Sequence, residues 1–420
     1  MHAPDRSTVP RARAAAAVAA AALVLSSACD QRAGNEPIAP GAPISIESPA
    51  PITSNTPALH VYGDSTMWLT WTERRTDSSL AIRVVARRSG QWDTVRTVTE
   101  GRPFFANWAD FPSVTVLNNG ALAAHWLERE ATGKYAYGVR VVKSLDQAVT
   151  WSAPITPHTD GLAAEHGFVT MWPDGPDGLG LAWLDGRKSA MPDSAREMTV
   201  RTATITADGR LQREAQLDAR SCDCCQVASG ATRGGHVVVY RDRSTTEIRD
   251  IVAVRRQGDA WSAPVAVHRD EWHYAGCPVN GPSVATRGDS VAVAWFTAAN
   301  DTSRVLVALS IDGGANFQPP VRVDDGDPIG RAMVVFDRAG DVVVGSMERV
   351  TPETAEIRVR RVSTGKRSPF RTVAATSAAR ASGFPKMVVI GDTLVVAWTA
   401  TQPTVRVQLA QLPLLSRTLR

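Results

Sequence analysis

Cysteine and tyrosine are scarce, with five of each in 420 residues, and aromatic side chains make up only 6% of the chain. The formal net charge is +4 and no basic block interrupts the sequence. That argues against nucleic acid as a partner, because a nucleic-acid surface needs a concentrated basic stripe. Beyond residue 25 no apolar run is long enough to cross a bilayer as a helix. No segment sustains a helical period of apolar residues, which leaves strands to carry the fold. What is present is ordinary for a soluble globular chain: 44% hydrophobic and 21% charged residues. The length allows two or three average domains, or one large all-β domain.

The N-terminus reads as a targeting segment rather than as part of the fold. Arg11 and Arg13 form a basic region, Ala14 to Leu25 is apolar, and Ser26-Ser27-Ala28 precede Cys29. This is the pattern of a secretory signal over residues 1–28. Small residues before a cysteine resemble a bacterial lipoprotein cleavage site, which implies lipidation of Cys29. The expectation is an exported protein of the bacterial cell envelope, touching the membrane through a lipid anchor only. Residues 29–42, rich in Pro, Gly, Ala and Asn, read as a flexible linker. Residues 43–413 are left as a single domain.

Export bears on the other cysteines, since an oxidising compartment favours disulfides. Cys222, Cys224, Cys225 and Cys277 form an even set, with three possible pairings. A link from Cys224 or Cys225 to Cys277 would tie two neighbouring segments together. A metal site of thiolates with His273 is the competing reading, but Cys-x-Cys-Cys is not a zinc spacing. No metal and no cofactor is expected. All four cysteines fall within Ser221–Pro282, the stretch densest in Arg, Asp and Glu.

From Pro43 onward the chain repeats with a period of about fifty-four residues. Each unit opens on a small or Pro-containing turn and a short strand. A Gly or Asp turn follows, then a strand of alternating small and apolar residues that ends in Trp or a stand-in. Trp71, Trp126, Trp183, Tyr240, Trp295, Ser346 and Trp398 hold that last position. Two further Val/Ile/Thr-rich runs complete each unit, so each is a four-stranded antiparallel meander. Seven such units predict an all-β, seven-bladed β-propeller, with six blades as the alternative. The last unit has only three strands, and Ile44-Ser-Ile-Glu47 is left over at the start. This N-terminal strand is expected to close the ring and remove an open edge.

The turns between third and fourth strands carry a motif. Ser310-Ile-Asp312-Gly-Gly314-Ala-Asn-Phe317 fits Ser-x-Asp-x-Gly-x-x-aromatic, and Ser144 to Trp151 fits it with Ala148 in place of Gly. This resembles the Asp-box, or BNR, repeat of the sialidase superfamily. The string around Cys222 to Pro282 also looks like an exported bacterial subgroup called exo-α-sialidase-like. Physically the box is a hairpin device, so Asp146 and Asp312 are not site candidates.

The resemblance implies a glycoside hydrolase acting on acidic sugars. It requires an arginine clamp for the sugar carboxylate, a tyrosine nucleophile with an activating glutamate, and an aspartate acid/base. The loops flanking the first two strands of each blade share the channel mouth. Read there, Arg187, Arg241, Arg243 and Arg331 are the clamp candidates. Glu128 or Glu247 would be the activating base, Asp110 or Asp185 the acid/base, and Tyr240 the nucleophile, with Tyr274 as its alternative. Trp272, His273 and Asn280 are added as substrate-binding residues. Two departures favour an alternative, a non-catalytic glycan- or protein-binding propeller. The Arg-Ile-Pro motif of sialidases has no counterpart at Ser54-Asn-Thr-Pro57, and no tyrosine follows Tyr274. Singly, Arg and Asp at blade ends commonly form salt bridges between blades.

Overall fold

The computed structural model describes residues 41–191, 197–363 and 366–414. The expected signal segment and Cys29 lie outside the described residues. Seven antiparallel sheets follow one another along the chain, each a meander in which consecutive strands pair. Their first strands are Ser54–Tyr62, Ser113–Val116, His166–Asp174, Ala228–Thr232, Ser283–Arg287, Pro328–Phe336 and Lys386–Ile390. In the second sheet the outer strand is reduced to one bridge, between Val141 and Ile155. Helix is confined, among the described residues, to single turns such as Arg187–Ala190, and no helix is long and apolar enough to cross a membrane.

The core establishes the ring. Buried apolar side chains fall into seven clusters, and each one lies between two successive sheets. The cluster of Ile46, Leu69, Trp71, Val395 and Leu409 joins the last sheet to the first. The molecule is therefore a seven-bladed β-propeller. Ile44–Ile46 pairs antiparallel with Arg406–Pro413 and completes the seventh blade, as the leftover strand implied.

Period-two alternation explains how the blades stack. Along each second strand alternate residues face opposite neighbours, and the terminal aromatic faces the preceding blade. Trp71, Trp126, Trp183, Tyr240, Trp295 and Trp398 each pack there. They fill the widening space between sheets and do not face the channel mouth. Burial favours acceptors for their polar hydrogens, and four of the six find one, while Trp71 and Trp398 Nε1 do not. Trp126 Nε1 donates to Glu128 at 3.1 Å, Trp183 Nε1 to Asp185 at 2.9 Å, Tyr240 OH to Asp218 at 2.7 Å and Trp295 Nε1 to Asp270 at 2.6 Å.

The Ser-x-Asp turns are tied as expected. Asp312 Oδ1 accepts the Ala315 and Asn316 N–H groups at 3.0 Å, and Ser310 Oγ accepts the Gly314 N–H at 2.9 Å. Asp146 accepts the Thr150 N–H at 2.9 Å. The motif aromatic reaches further than its own sheet: Trp151 Nε1 donates to Thr97 O of the preceding blade at 3.0 Å.

Candidate functional site at the channel mouth

The first strands begin irregularly at the mouth, and that irregularity aims side chains. Thr56, Phe168 and Arg331 have φ of 50°, 54° and 53°, at β-bulges in blades one, three and six. Their freed N–H groups are met by side chains of the preceding blade or of the loop that leads into it. Thr399 Oγ1 takes the Thr56 N–H at 3.1 Å, Asp110 Oδ2 that of Phe168 at 2.8 Å, and Asn280 Oδ1 that of Arg331 at 2.8 Å. Asp110 and Asn280, expected in catalysis and substrate binding, thus clasp one blade to the next. Burial pushes the Asp110 carboxyl up to about 8, against the lowering effect of the Phe168 N–H.

The arginine clamp is not assembled. Arg187 binds Asp185 at 2.6 Å and Asp160 at 3.2 Å. Arg241 is 1% exposed and donates to the carbonyls of Asn280, Arg249 and Phe296, with its guanidinium 5.0 Å from the Trp272 ring centre. Arg331 donates to Ser382 Oγ at 2.6 Å and Ala379 O at 3.2 Å, beneath Trp108 and Phe384. These three guanidinium groups share no partner. Each holds a loop that the propeller itself needs.

The proposed catalytic groups are likewise engaged. Arg102 grips Glu128 from 2.8 and 3.0 Å. Asp185 is fully buried; burial opposes its charge, but Arg187, His166 and Trp183 hold its carboxyl below the usual range. Tyr240 is fully buried between blades three and four, out of reach of a ligand at the mouth. Glu247 is held by Arg243, Arg249 and Arg220 at 2.9, 2.8 and 3.3 Å, and Arg243 above all pulls its carboxyl down to about 2. Held so low, it is a poor base. Trp272 is buried against Arg241, Tyr274 and Phe296, while His273 and Tyr274 are exposed.

The cysteines are paired Cys222–Cys225 and Cys224–Cys277. The three thiols nearest one another are therefore not available as metal ligands. His158, Asp160 and His166 also bring three ligand atoms within 4.8 Å of one another. There Asp160 already accepts from His166 Nε2 at 3.0 Å, and His158 Nε2 accepts the Val139 N–H at 3.2 Å.

A different constellation faces open space. A pocket of about 830 Å³ at the mouth is lined by Trp108, Tyr135, Glu165, Asp223 and Arg380, with Cys224 and Cys277 in its wall. The Glu165 backbone is fixed by its bridge to Tyr137 and by the Gly186 N–H on its carbonyl at 2.7 Å. A side chain at position 186 would press on that carbonyl, since a Cβ there would lie 3.0 Å from it. Tyr137 OH donates to Glu165 Oε1 at 2.6 Å, while Tyr137 stacks on Phe105 with ring centres 3.7 Å apart. Burial pushes Glu165 up to about 7; the tyrosine bond works against this, and the charge of Asp223 adds to it. Asp223 is raised as well by the surrounding protein, a modest effect because its side chain is 46% exposed and Arg243 lies 3.3 Å away. Two carboxyls with raised affinity for protons thus face one pocket, beside two aromatic surfaces and one guanidinium. Tyr137 itself is fully buried, so the Tyr–Glu pair presents only its glutamate.

Fold and site together define the class: a seven-bladed β-propeller with a carboxyl-bearing pocket at its mouth. No protein-family model matches the chain, and no curated protein matches it in sequence. Solved structures do match. A protein of unknown function from Dyadobacter fermentans DSM 18053 has a TM-score of 0.50 at 15% identity, over 89% of this chain and 99% of that one. Polysaccharide lyase Uly1 has a TM-score of 0.52 at 10% identity, over 86% and 90% of the two chains. The K499G mutant of the NanB sialidase from Streptococcus pneumoniae has a TM-score of 0.48 at 10% identity, over 83% of each. The propeller expected from the repeats fits the likenesses to the Dyadobacter protein and to Uly1, which at such identities concern the fold alone.

Proposed function

We propose that the protein is a glycan-active propeller, in which Glu165 serves as general acid/base and Asp223 as its partner carboxylate. The observation that carries this reading is Glu165 itself. It lines an open pocket, accepts a hydrogen bond from Tyr137, and is poised near neutral pH. A general acid works best with its affinity for protons close to the working pH. Glycosidic cleavage needs two carboxyl groups across the bond, one to protonate the leaving oxygen and one to activate water or attack. Tyr135, exposed beside the pocket, offers a face for a sugar ring to stack on. Among the described residues Arg380 is the one guanidinium lining the pocket and would meet an acidic substituent. That keeps acidic sugars among the candidate substrates without the three-arginine clamp of a sialidase. The lyase activity named for Uly1 belongs to that protein, and it guides only the choice of substrates to try.

The test is turnover of a panel of neutral, uronic and sialylated glycans by the folded protein and by Glu165→Gln. The acid/base role predicts a loss of about 10²–10⁴ in kcat with the fold unchanged. Glycan binding without turnover would assign the pocket to recognition alone, the alternative reading. A folded protein that neither binds nor cleaves any glycan would remove the proposal. Lipidation at Cys29 would hold this pocket at the cell envelope. Fatty-acid labelling that disappears in Cys29→Ser is the expected result.

A further inference from the structure

We propose that the central channel of the propeller binds a small monovalent anion on the ammonium of Lys386. The site is separate from the mouth pocket and does not depend on the chemistry there. Beneath the mouth, the first strands of all seven blades enclose a channel of about 310 Å³. Each of those strands is hydrogen-bonded on one side only, so backbone groups of the free edges line the space. Above it, the loop into the second blade carries Trp108 and Phe111 across to Phe384 of the seventh, with ring centres 5.8 and 6.3 Å apart.

Lys386 starts the first strand of the seventh blade, and its Nζ lies 3.6 Å from the centre of the Phe111 ring. Protein surrounds it on every side, yet part of its surface opens into the channel. It has no hydrogen-bond or ion-pair partner among the described residues. Several other polar side chains of the channel wall are already matched. Thr170 and Ser229 bond each other at 2.8 Å, Ser113 bonds His125 at 3.1 Å, and Gln226 bonds Ala109 O and Gly281 N at 2.7 and 2.9 Å.

Charge makes the case stronger. The other titratable groups lining the channel are His60 and Asp110. Burial lowers His60 to about 4 and raises Asp110 to about 8, so both are neutral near pH 7. Whenever Lys386 is charged, it stands unbalanced among the described residues of the channel, in surroundings where an unpaired charge is costly. An aromatic face offsets only part of that cost. An anion would pair with the ammonium and accept from free-edge N–H groups. It would also keep Lys386 charged against a burial that draws it down to about 7.

Bromide is a suitable probe because it is small, monovalent and visible by anomalous diffraction. Crystals of the whole protein grown in bromide should show an anomalous peak within hydrogen-bond distance of Lys386 Nζ. Thermal unfolding at constant ionic strength should show a saturable rise in Tm of about 2–4 °C with bromide. Lys386→Met should lose both the peak and the rise. If that variant fails to fold, the diffraction result on the unaltered protein decides alone. No peak at Lys386, or an equal bromide response in Lys386→Met, would overturn the proposal.

Discussion

Asp110 shows why a carboxyl at a propeller mouth need not be a catalyst. Its Oδ2 meets the Phe168 N–H at a bulge, and a Cβ on Gly167 would come within 2.2 Å of the same oxygen, so the fit is close. With its affinity for protons raised to about 8 from an ordinary 3.8, the folded state holds a proton that the unfolded chain releases near pH 4. The stabilisation it gives is therefore complete below about pH 4 and is lost as pH rises through about 8. Glu165, raised to about 7, acts in the same direction. Buried imidazoles such as His60 and His125, both lowered to about 4, act in the opposite direction below about pH 6.5, so the difference between two proteins is the readout: in urea denaturation across pH 4 to 9, Asp110→Asn should gain stability relative to the unaltered protein as pH rises, while keeping an acceptor for Phe168. Asp110→Ala leaves the N–H buried without a partner and should cost about 1–3 kcal/mol at pH 4. A slope unchanged in Asp110→Asn would mean that the carboxyl is ionised in the fold.

At the scale of the strand and loop, legibility depended on whether a residue obeys the period of its element. The second-strand aromatics do, and their positions were readable from alternation alone. Glu128 and Asp185 follow two residues after Trp126 and Trp183, hence on the same face, where the indole N–H needs an acceptor. That geometry makes them structural, and a period-two reading already contained it. Glu165 was missed because it sits next to His166, just ahead of a bulge where the register shifts between Gly167 and Thr170. Alternation fails at a bulge, so no pattern says which neighbour will face the pocket. Tyr137 was missed because its partner lies on another blade. The cysteine-rich stretch did reach the mouth, but through Asp223, Cys224 and Cys277 rather than through its arginines. In the chain-entropy model the two bridges differ sharply. Cys224–Cys277 spans 53 positions and should contribute about 4 kcal/mol, while Cys222–Cys225 spans 3 and should contribute about 2. Paired Cys→Ser variants, compared by thermal unfolding, should rank in that order. Only loss of the longer bridge should also impair whatever binds the mouth pocket, because that bridge forms part of its wall.

Across the whole molecule, stability rests on closure of a circle whose two ends are distant in sequence. The repeat count was legible because every unit must solve the same problem, a small sheet buried on both faces. The short strand left over at the start was legible as the missing piece of the last unit. Its contribution can be argued from contacts. Ile46 is buried with Trp71, Val395 and Leu409, Arg406 donates to the carbonyls of Ala50 and Ser48 at 3.3 and 3.2 Å, and Trp92 Nε1 donates to Glu47 O at 2.9 Å. Removing residues 41–47 deletes the strand and the acceptor for Trp92, and bares the outer edge of Arg406–Pro413. An unpaired edge of that length is a template for pairing with another chain. The truncated protein should therefore unfold at lower temperature and form oligomers that scatter light. Ile46→Asp, which keeps the backbone ladder but places a charge among Trp71 and Leu409, should lower Tm without promoting assembly. If the truncation leaves both Tm and monomer content unchanged, the ring is held by its blade-to-blade cores alone, and the N-terminal strand is an accessory to closure rather than its cause.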